Sequence, residues 1–149
     1  MVDVIYEDNH VLVCIKPQNI PSQADISQDM DMLTMVKNYI KEKYNKPGNV
    51  YVGLVHRLDR PTGGVMVFAK TSKAANRLSK QIQTKDFYKK YFAIVCGRPK
   101  YESDTLVHYL KKDERENIVK IVPSSEQGAK KAELIYKTLD TYNQQLSLV

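Results

Sequence analysis

The sequence has two cysteines, Cys14 and Cys96, and they form no Cys-x-x-Cys spacing. Both lie in apolar runs typical of strands and are far apart, which argues against a disulfide framework or a metal site and predicts buried free thiols in a reducing compartment. No apolar run approaches the length of a membrane span, and the N-terminus lacks the basic-then-apolar order of a signal peptide. We therefore expect a cytoplasmic protein with no membrane contact.

Several chemical signatures are also missing. His10, His56 and His108 show no spacing of metal ligands, so we expect no metal site. Gly63-Gly64 has no following Lys-Ser or Lys-Thr, which argues against a nucleotide-phosphate loop. The chain also has no Gly-x-Ser-x-Gly elbow of a serine hydrolase.

The composition is that of an ordinary globular protein with a basic surplus. The 149 residues fit one domain, and their 42% apolar and 27% charged content is normal for this class. Lys plus Arg is 23 against 17 Asp plus Glu, which gives a formal charge of +6. This surplus favours a polyanionic partner, although a basic protein without a nucleic-acid role has the same composition. A monomer is the default expectation.

The first half of the chain predicts a hairpin and two helices. The β-branched runs at residues 2–6 and 11–15 are separated by four polar residues, as in an antiparallel hairpin. The polar segment 18–31 is predicted as a solvated loop, although Ser22, Gln23 and Asp25 could contact a ligand. Two sets of apolar residues then recur at helical spacing: Leu33, Val36, Tyr39, Ile40 and Tyr44, after a cap at Asp29 or Asp31, and Ala74, Ala75, Leu78 and Ile82, after a cap at Thr71 or Ser72.

The second half predicts strands. Residues 89–96 alternate between two faces, and further strands are predicted at 106–110, 118–122, 132–139 and from Leu146 onward. Together these elements predict an α+β fold with a mixed, mainly antiparallel sheet flanked by helices. Because the last five residues look like a strand in progress, we expect the chain to be a fragment of a longer protein.

The most unusual stretch is residues 56–64, His-Arg-Leu-Asp-Arg-Pro-Thr-Gly-Gly, which lies between strand-like runs at 50–55 and 65–69. It places Asp59 between Arg57 and Arg60. Pro61 fixes its own φ, and the glycines allow positive φ or close backbone approach. A charged insert between two strands is typical of a loop that a rigid scaffold holds in place, where catalytic groups tend to lie.

The residues of this loop are compatible with several functions. Two neighbouring arginines favour the charged form of Asp59, which could then act as a nucleophile, as a partner of a sugar cation or as a general base. Arg57, Arg60 and His56 could hold phosphates or wedge into stacked bases. Alternatively, the Asp59 side chain merely ties the turn together by accepting backbone N–H groups. A glycosidase would need a second carboxylate, which this loop lacks.

The loop and the following Val-Met-Val-Phe-Ala-Lys-Thr resemble the signature of the RluA-type RNA pseudouridine synthase family. Three other segments resemble the family in the same order: residues 6–17, which end in Lys-Pro; residues 89–97, Lys-Lys-Tyr-Phe-Ala-Ile-Val-Cys-Gly; and residues 131–139. The resemblance implies isomerisation of uridine to pseudouridine in ribosomal or transfer RNA without a cofactor or a metal. It also implies a pseudouridine synthase-like fold.

The resemblance also implies roles for individual residues. Asp59 would be the nucleophile and attack either C1′ of the ribose or C6 of the uracil. Tyr91 would pack on the target uracil and could assist deprotonation at C5. Arg57 would help to displace the target nucleotide from its stack. His56, Arg60, Thr62 and Lys70 would complete the RNA-binding set.

The chain departs from the family pattern in two ways. The family usually has Thr-Ser-Gly where this chain has Thr62-Gly63-Gly64, and the missing hydroxyl removes a loop hydrogen bond of about 1 kcal/mol. The family segment Gly-Arg-x-His-Gln-Ile-Arg, whose basic residue pairs with the catalytic carboxylate, would follow Val149. We therefore expect residues 1–149 to form one catalytic domain that is truncated at its C-terminus, with no RNA-binding domain of the S4 type before it. The alternative is a non-catalytic RNA-binding module that uses the same basic loop.

Overall fold

The computed structural model describes residues 1–84 and 86–149 and shows an α+β fold, which confirms the predicted class. The helices are α1 Met32–Lys43 and α2 Ser72–Gln83. The strands are β1 Asp3–Glu7, β2 Val11–Lys16, β3 Gly53–Leu54, β4 Gly64–Ala69, β5 Ile94–Cys96, β6 Ser103–Asp113, β7 Ile118–Ile121, β8 Lys130–Lys137, β9 Asp140–Tyr142 and β10 Leu146–Leu148. They form two compact units, residues 1–88 and 89–149.

The first unit contains an antiparallel sheet in the order β1-β2-β4-β3. The predicted hairpin is confirmed as β1 and β2, and the Asp8 carboxylate stabilises its turn by accepting the N–H groups of His10 and Val11, each at 2.7 Å. The strand predicted at 50–55 is shorter than expected, because only Gly53 and Leu54 pair with β4. The chain then leaves the sheet and forms the loop of residues 55–63.

The core of the first unit lies between this sheet and α1. Leu12 and Cys14 of β2 pair with Phe68 and Met66 of β4, and all four residues are fully buried. Burial of a large apolar side chain stabilises a fold by about 1.5–3 kcal/mol. Because side chains alternate between the two faces of a strand, the next residue on the buried face of β2 is Lys16. The sheet therefore carries a cation into the interior at the end of β2.

Both helices begin at the predicted caps. The Asp31 side chain accepts the N–H of Thr34 at 3.0 Å, and the Thr71 hydroxyl accepts that of Ala74 at 3.1 Å. Such bonds satisfy the free donors of a first turn and contribute about 1 kcal/mol each. In α1, Met32, Val36 and Ile40 are buried, as helical spacing requires. Neither of the two helices in residues 1–84 and 86–149, each of 12 residues, has the length of a membrane span.

The second unit contains two three-stranded antiparallel sheets, β7-β6-β8 and β5-β10-β9. The strand predicted over 89–96 is a strand only at Ile94–Cys96, where it pairs with β10, and β9 was not predicted. The prediction of two buried thiols is half right. Cys14 is buried, and burial together with the charge of Asp3 raises its pKa to about 11. Cys96 is exposed. Its exposure was not predicted, because alternation in a sequence does not show which strand face is covered.

Candidate active site

The loop between β3 and β4 is a tight turn, as its sequence predicts. The N–H of Thr62 donates to the carbonyl of Asp59 at 2.9 Å, so Arg60 and Pro61 occupy the centre of the turn. Gly64 ends the loop with φ of +149°, a backbone conformation that side chains with a Cβ rarely adopt. At Gly63, an added Cβ would lie 3.1 Å from Cγ of Gln18, so this glycine permits close approach of the neighbouring segment.

Asp59 is exposed at the start of this turn. Within residues 1–84 and 86–149, its carboxylate makes no hydrogen bond or ion pair, although its main-chain carbonyl is engaged. The structure therefore disfavours the alternative in which the Asp59 side chain only ties the turn. The carboxylate is available to a ligand, and its position depends on how firmly the backbone around it is held.

Leu58, directly before Asp59, is held by Ser22. The Ser22 hydroxyl donates to the carbonyl of Leu58 at 2.6 Å and accepts the N–H of the same residue at 3.1 Å. Both residues are buried. The sequence suggested Ser22 only as a possible ligand contact, but its hydroxyl is occupied by the loop itself.

Lys16 holds the other side of the turn, although no functional role was predicted for its side chain. Its fully buried ammonium donates to the carbonyls of Pro17, Ile20 and Arg60 at 3.0, 2.7 and 3.1 Å. Burial lowers the pKa of Lys16, and the negative charge of Asp59 offsets part of this effect. A cation below the loop therefore supplies a positive potential at Asp59. The alternation of β2 was the signal that could have revealed it, since Leu12, Cys14 and Lys16 share one face.

Arg60 points toward the segment between β2 and α1. Its guanidinium forms an ion pair with Asp29, donates to the Ser27 hydroxyl at 3.0 Å and lies 3.9 Å from the Asp25 carboxylate. The Arg60 hydrogen bond and charge hold the pKa of Asp29 below its usual range. The expectation that Asp59 lies between two arginines is thus wrong for Arg60, because sequence proximity does not determine the direction of a long side chain. Arg57 is exposed.

His56 has a structural contact that the sequence did not suggest. Its Nε2 accepts the N–H of Val67 at 3.0 Å, next to the last β3–β4 pair, Leu54 with Phe68. The imidazole thereby continues the hydrogen bonding of the sheet where the β3 backbone departs. The ring also lies 5.8 Å from that of Phe87. In the neutral imidazole this arrangement leaves the proton on Nδ1.

Lys70 belongs to a different cluster, the Glu7 clamp, which consists of Glu7, Tyr39, Lys43, Tyr44 and Lys70. Its ammonium donates to Glu7 and to the carbonyl of Asp8, each at 2.6 Å, and its side chain is 11% exposed. These contacts argue against the RNA contact that the resemblance implies for Lys70. Lys70 binds Glu7 and not RNA in this arrangement because a lysine with an acidic partner can lie inside the protein.

Tyr91 lies in the second unit, three residues before β5, and is 56% exposed. The neighbouring Ala93 exchanges two backbone hydrogen bonds of 2.9 Å with Val149, so the chain near Tyr91 is anchored to the end of β10. With more than half of its surface exposed, Tyr91 is accessible to a ligand. Its catalytic role stays a prediction.

Comparison with known proteins gives consistent matches. Residues 10–149 match the family model described as RNA pseudouridylate synthase. The chain is 31% identical over 148 residues to the ribosomal large subunit pseudouridine synthase C of Rickettsia prowazekii, covering 98% of this chain and 46% of that protein. It is 37% identical over 97 residues to the ribosomal large subunit pseudouridine synthase D of Pseudomonas aeruginosa, covering 64% of this chain and 29% of that protein. The chain thus spans less than half of the length of these relatives.

Solved structures support the fold. Human RNA pseudouridylate synthase domain containing 4 aligns with a TM-score of 0.79 at 20% identity, over 98% of this chain and 56% of that chain. Human RNA pseudouridylate synthase domain containing 1 aligns with a TM-score of 0.70 at 18% identity, over 99% of this chain and 57% of that chain. The two units therefore share the fold of these domains.

Proposed function

The chain belongs to the RluA-type RNA pseudouridylate synthase family, and from this premise we propose that its full protein isomerises uridine to pseudouridine in ribosomal RNA. The relatives named above are ribosomal large subunit enzymes, which favours ribosomal over transfer RNA as the substrate. The formal charge of +6 suits a polyanionic substrate.

One observation supports this proposal most directly. Asp59 presents a carboxylate without a protein partner in the described part of the chain, on a turn whose backbone is held from both sides. A nucleophile needs this combination of an available side chain and a fixed origin, because orientation supplies much of the rate of a covalent step.

In the proposed reaction, Asp59 attacks C1′ of the ribose or C6 of the uracil, and the bond between N1 and C1′ breaks. After the uracil rotates, C5 bonds to C1′ and the Asp59 carboxylate is released, while C5 loses a proton and N1 gains one. Tyr91 stacks on the uracil and assists deprotonation at C5. The exposed Arg57 displaces the target nucleotide, since the reacting atoms are inaccessible within a stacked helix. Thr62 contributes to RNA binding from the turn. The engaged His56 and Arg60 contribute mainly to the structure around the loop, and Lys70 contributes to the Glu7 clamp.

Release of tritium from RNA labelled at C5 of uridine tests the proposal with the full-length protein. We expect turnover by the wild type and a loss of at least about 10⁴-fold in Asp59→Asn, because the amide cannot act as the nucleophile. RNA affinity of the variant, measured in the same buffer, should remain within about threefold, since Asp59 contributes no favourable phosphate contact.

The competing function is a non-catalytic RNA-binding module, which the basic charge also supports. It predicts salt-dependent RNA binding without tritium release by the wild type, and an unchanged cellular function in Asp59→Asn. Equal pseudouridine content of ribosomal RNA in a deletion strain and its parent would support this alternative and contradict the proposed activity.

A further inference from the structure

Ser22 is a buried serine whose hydroxyl bonds both the carbonyl and the N–H of one residue of the loop. It is 6% exposed, and its Oγ bonds both the carbonyl and the N–H of Leu58. The Sδ of Met66 lies 3.7 Å from the same oxygen. The Leu58 carbonyl belongs to the peptide bond that joins Leu58 to Asp59. The hydroxyl therefore fixes the peptide plane through which the chain enters Asp59.

The next two peptide groups are also fixed. The carbonyl of Asp59 accepts the N–H of Thr62 at 2.9 Å. The carbonyl of Arg60 accepts the N–H of Asn19 at 2.8 Å and the ammonium of Lys16 at 3.1 Å. Three consecutive carbonyls around Asp59 thus have partners. Ser22 and Asn19, which hold those of Leu58 and Arg60, lie between β2 and α1, and Lys16 lies at the end of β2.

This arrangement fixes the main chain from which the Asp59 side chain extends. The side chain has no protein partner of its own among the described residues, so the backbone fixes the point from which it extends, and its rotamer can adjust to a ligand. An uncertainty of 1 Å in the position of a reacting group can reduce the rate about 100-fold. The anchors of the backbone are therefore expected to affect turnover more than substrate binding.

We propose that Ser22 is a positioning residue that fixes the peptide bond entering Asp59 and thereby aims the carboxylate at the target nucleotide. The inference rests on the proposed function for its effect on turnover. Its structural part, the restraint of the loop by the hydroxyl, can be measured without any reaction.

Four variants of the full-length protein test the turnover effect. Ser22→Ala removes the hydroxyl, Ser22→Cys keeps the side-chain size but bonds weakly, and Ser22→Thr keeps the hydroxyl. We expect Ser22→Ala and Ser22→Cys to lower kcat about 10- to 100-fold with KM within about twofold of the wild type. Ser22→Thr should keep most of the wild-type kcat. The matched control is Thr71→Ala, which removes a hydroxyl that binds backbone at the start of α2 and should leave kcat within about twofold.

Hydrogen exchange at the amide of Leu58 provides a second, independent measurement. We expect exchange in Ser22→Ala to be at least about tenfold faster than in the wild type or in Thr71→Ala, because the acceptor of this N–H is lost. If the wild type makes no pseudouridine but exchange still responds to Ser22, the proposed reaction fails and the restraint stands. Unchanged exchange and an unchanged kcat in Ser22→Ala, or an equal loss of kcat in Thr71→Ala, would overturn the role of Ser22.

Discussion

Two carboxylates of the first unit, Glu7 and Asp59, have opposite environments. Glu7 is 7% exposed and accepts hydrogen bonds from Lys43 at 2.8 Å, Lys70 at 2.6 Å, Tyr39 at 3.1 Å and Tyr44 at 2.8 Å. Asp59 is exposed and has no such partner in the described residues, while the backbone around it is tied by Ser22, Asn19 and Lys16.

The two carboxylates differ in what the fold holds, which is the side chain of Glu7 and the main chain around Asp59. Burial alone would raise the pKa of Glu7, but hydrogen bonds from Lys43, Lys70, Tyr44 and Tyr39 outweigh it and lower the pKa to about 2. The charge of Glu7 is therefore used to join β1, α1 and the end of β4. At Asp59 the fold binds the main chain instead, so the side chain stays available to a ligand.

The comparison predicts its largest effect on stability at Glu7. Glu7→Gln should lower the free energy of unfolding by about 3 kcal/mol, because it leaves the nearly buried ammonium of Lys70 without its charge partner. Asp59→Asn should change it by no more than about 0.5 kcal/mol, as expected for an exposed side chain without a partner. Urea unfolding at pH 7 measures both values.

The pH dependence provides a control for this prediction. Because folding lowers the pKa of Glu7 from 4.5 to about 2, its contribution is complete above pH 4.5 and is lost as the pH falls toward 2. The wild type should therefore lose more stability over this interval than Glu7→Gln. Parallel acid curves for the two proteins would show that the Glu7 clamp does not stabilise the fold.

A smaller effect is predicted at Gly64. Gly64→Ala should cost about 1–2 kcal/mol, because alanine is strained at φ of +149°. It should also lower kcat, since the strain falls at the end of the Asp59 loop. Gly128→Ala is the matched control, with φ of +83° in the second unit, and should lower stability without a comparable change of kcat. Equal kcat values in the two variants would show that the backbone at Gly64 does not affect the geometry of the Asp59 loop.

The smallest effect distinguishes the two arginines that flank Asp59. Arg57→Ala should weaken RNA binding about fivefold and reduce the slope of log affinity against log salt concentration by about 1. Arg60→Ala should change both less, because Asp29 and Asp25 already neutralise its guanidinium. Filter binding at several salt concentrations measures the slopes. The opposite ranking would return Arg60 to the RNA-binding set.

Local patterns in the sequence predicted the helices, the first hairpin and the Asp59 turn. Helical spacing and the caps at Asp31 and Thr71 depend on residues only a few positions apart, so the sequence carries them directly. The turn was likewise predictable, because proline restricts φ at its own position and glycine allows positive φ at its own.

The partners of the long and polar side chains were not predictable in the same way. Lys16, Ser22 and Lys70 each bind a group that is distant in sequence. The alternation of β2 indicates the burial of Lys16, but no local pattern indicates the partners of Ser22 or Lys70. Arg60 likewise follows the acidic segment before α1 and not its neighbour Asp59. Contacts of this kind depend on tertiary packing, which overrides the usual exposure of charged residues.

The imidazole of His56 has a consequence for solubility. A strand amide without a partner at the border of a sheet is a template on which another chain can add a strand and begin to aggregate. At Val67 this amide is already bonded to His56 Nε2, just where the two-residue β3 ends. The loop that carries Asp59 therefore also shields the edge of its own sheet, and a protein that lost this imidazole would expose a site for intermolecular strand pairing beside the Asp59 turn.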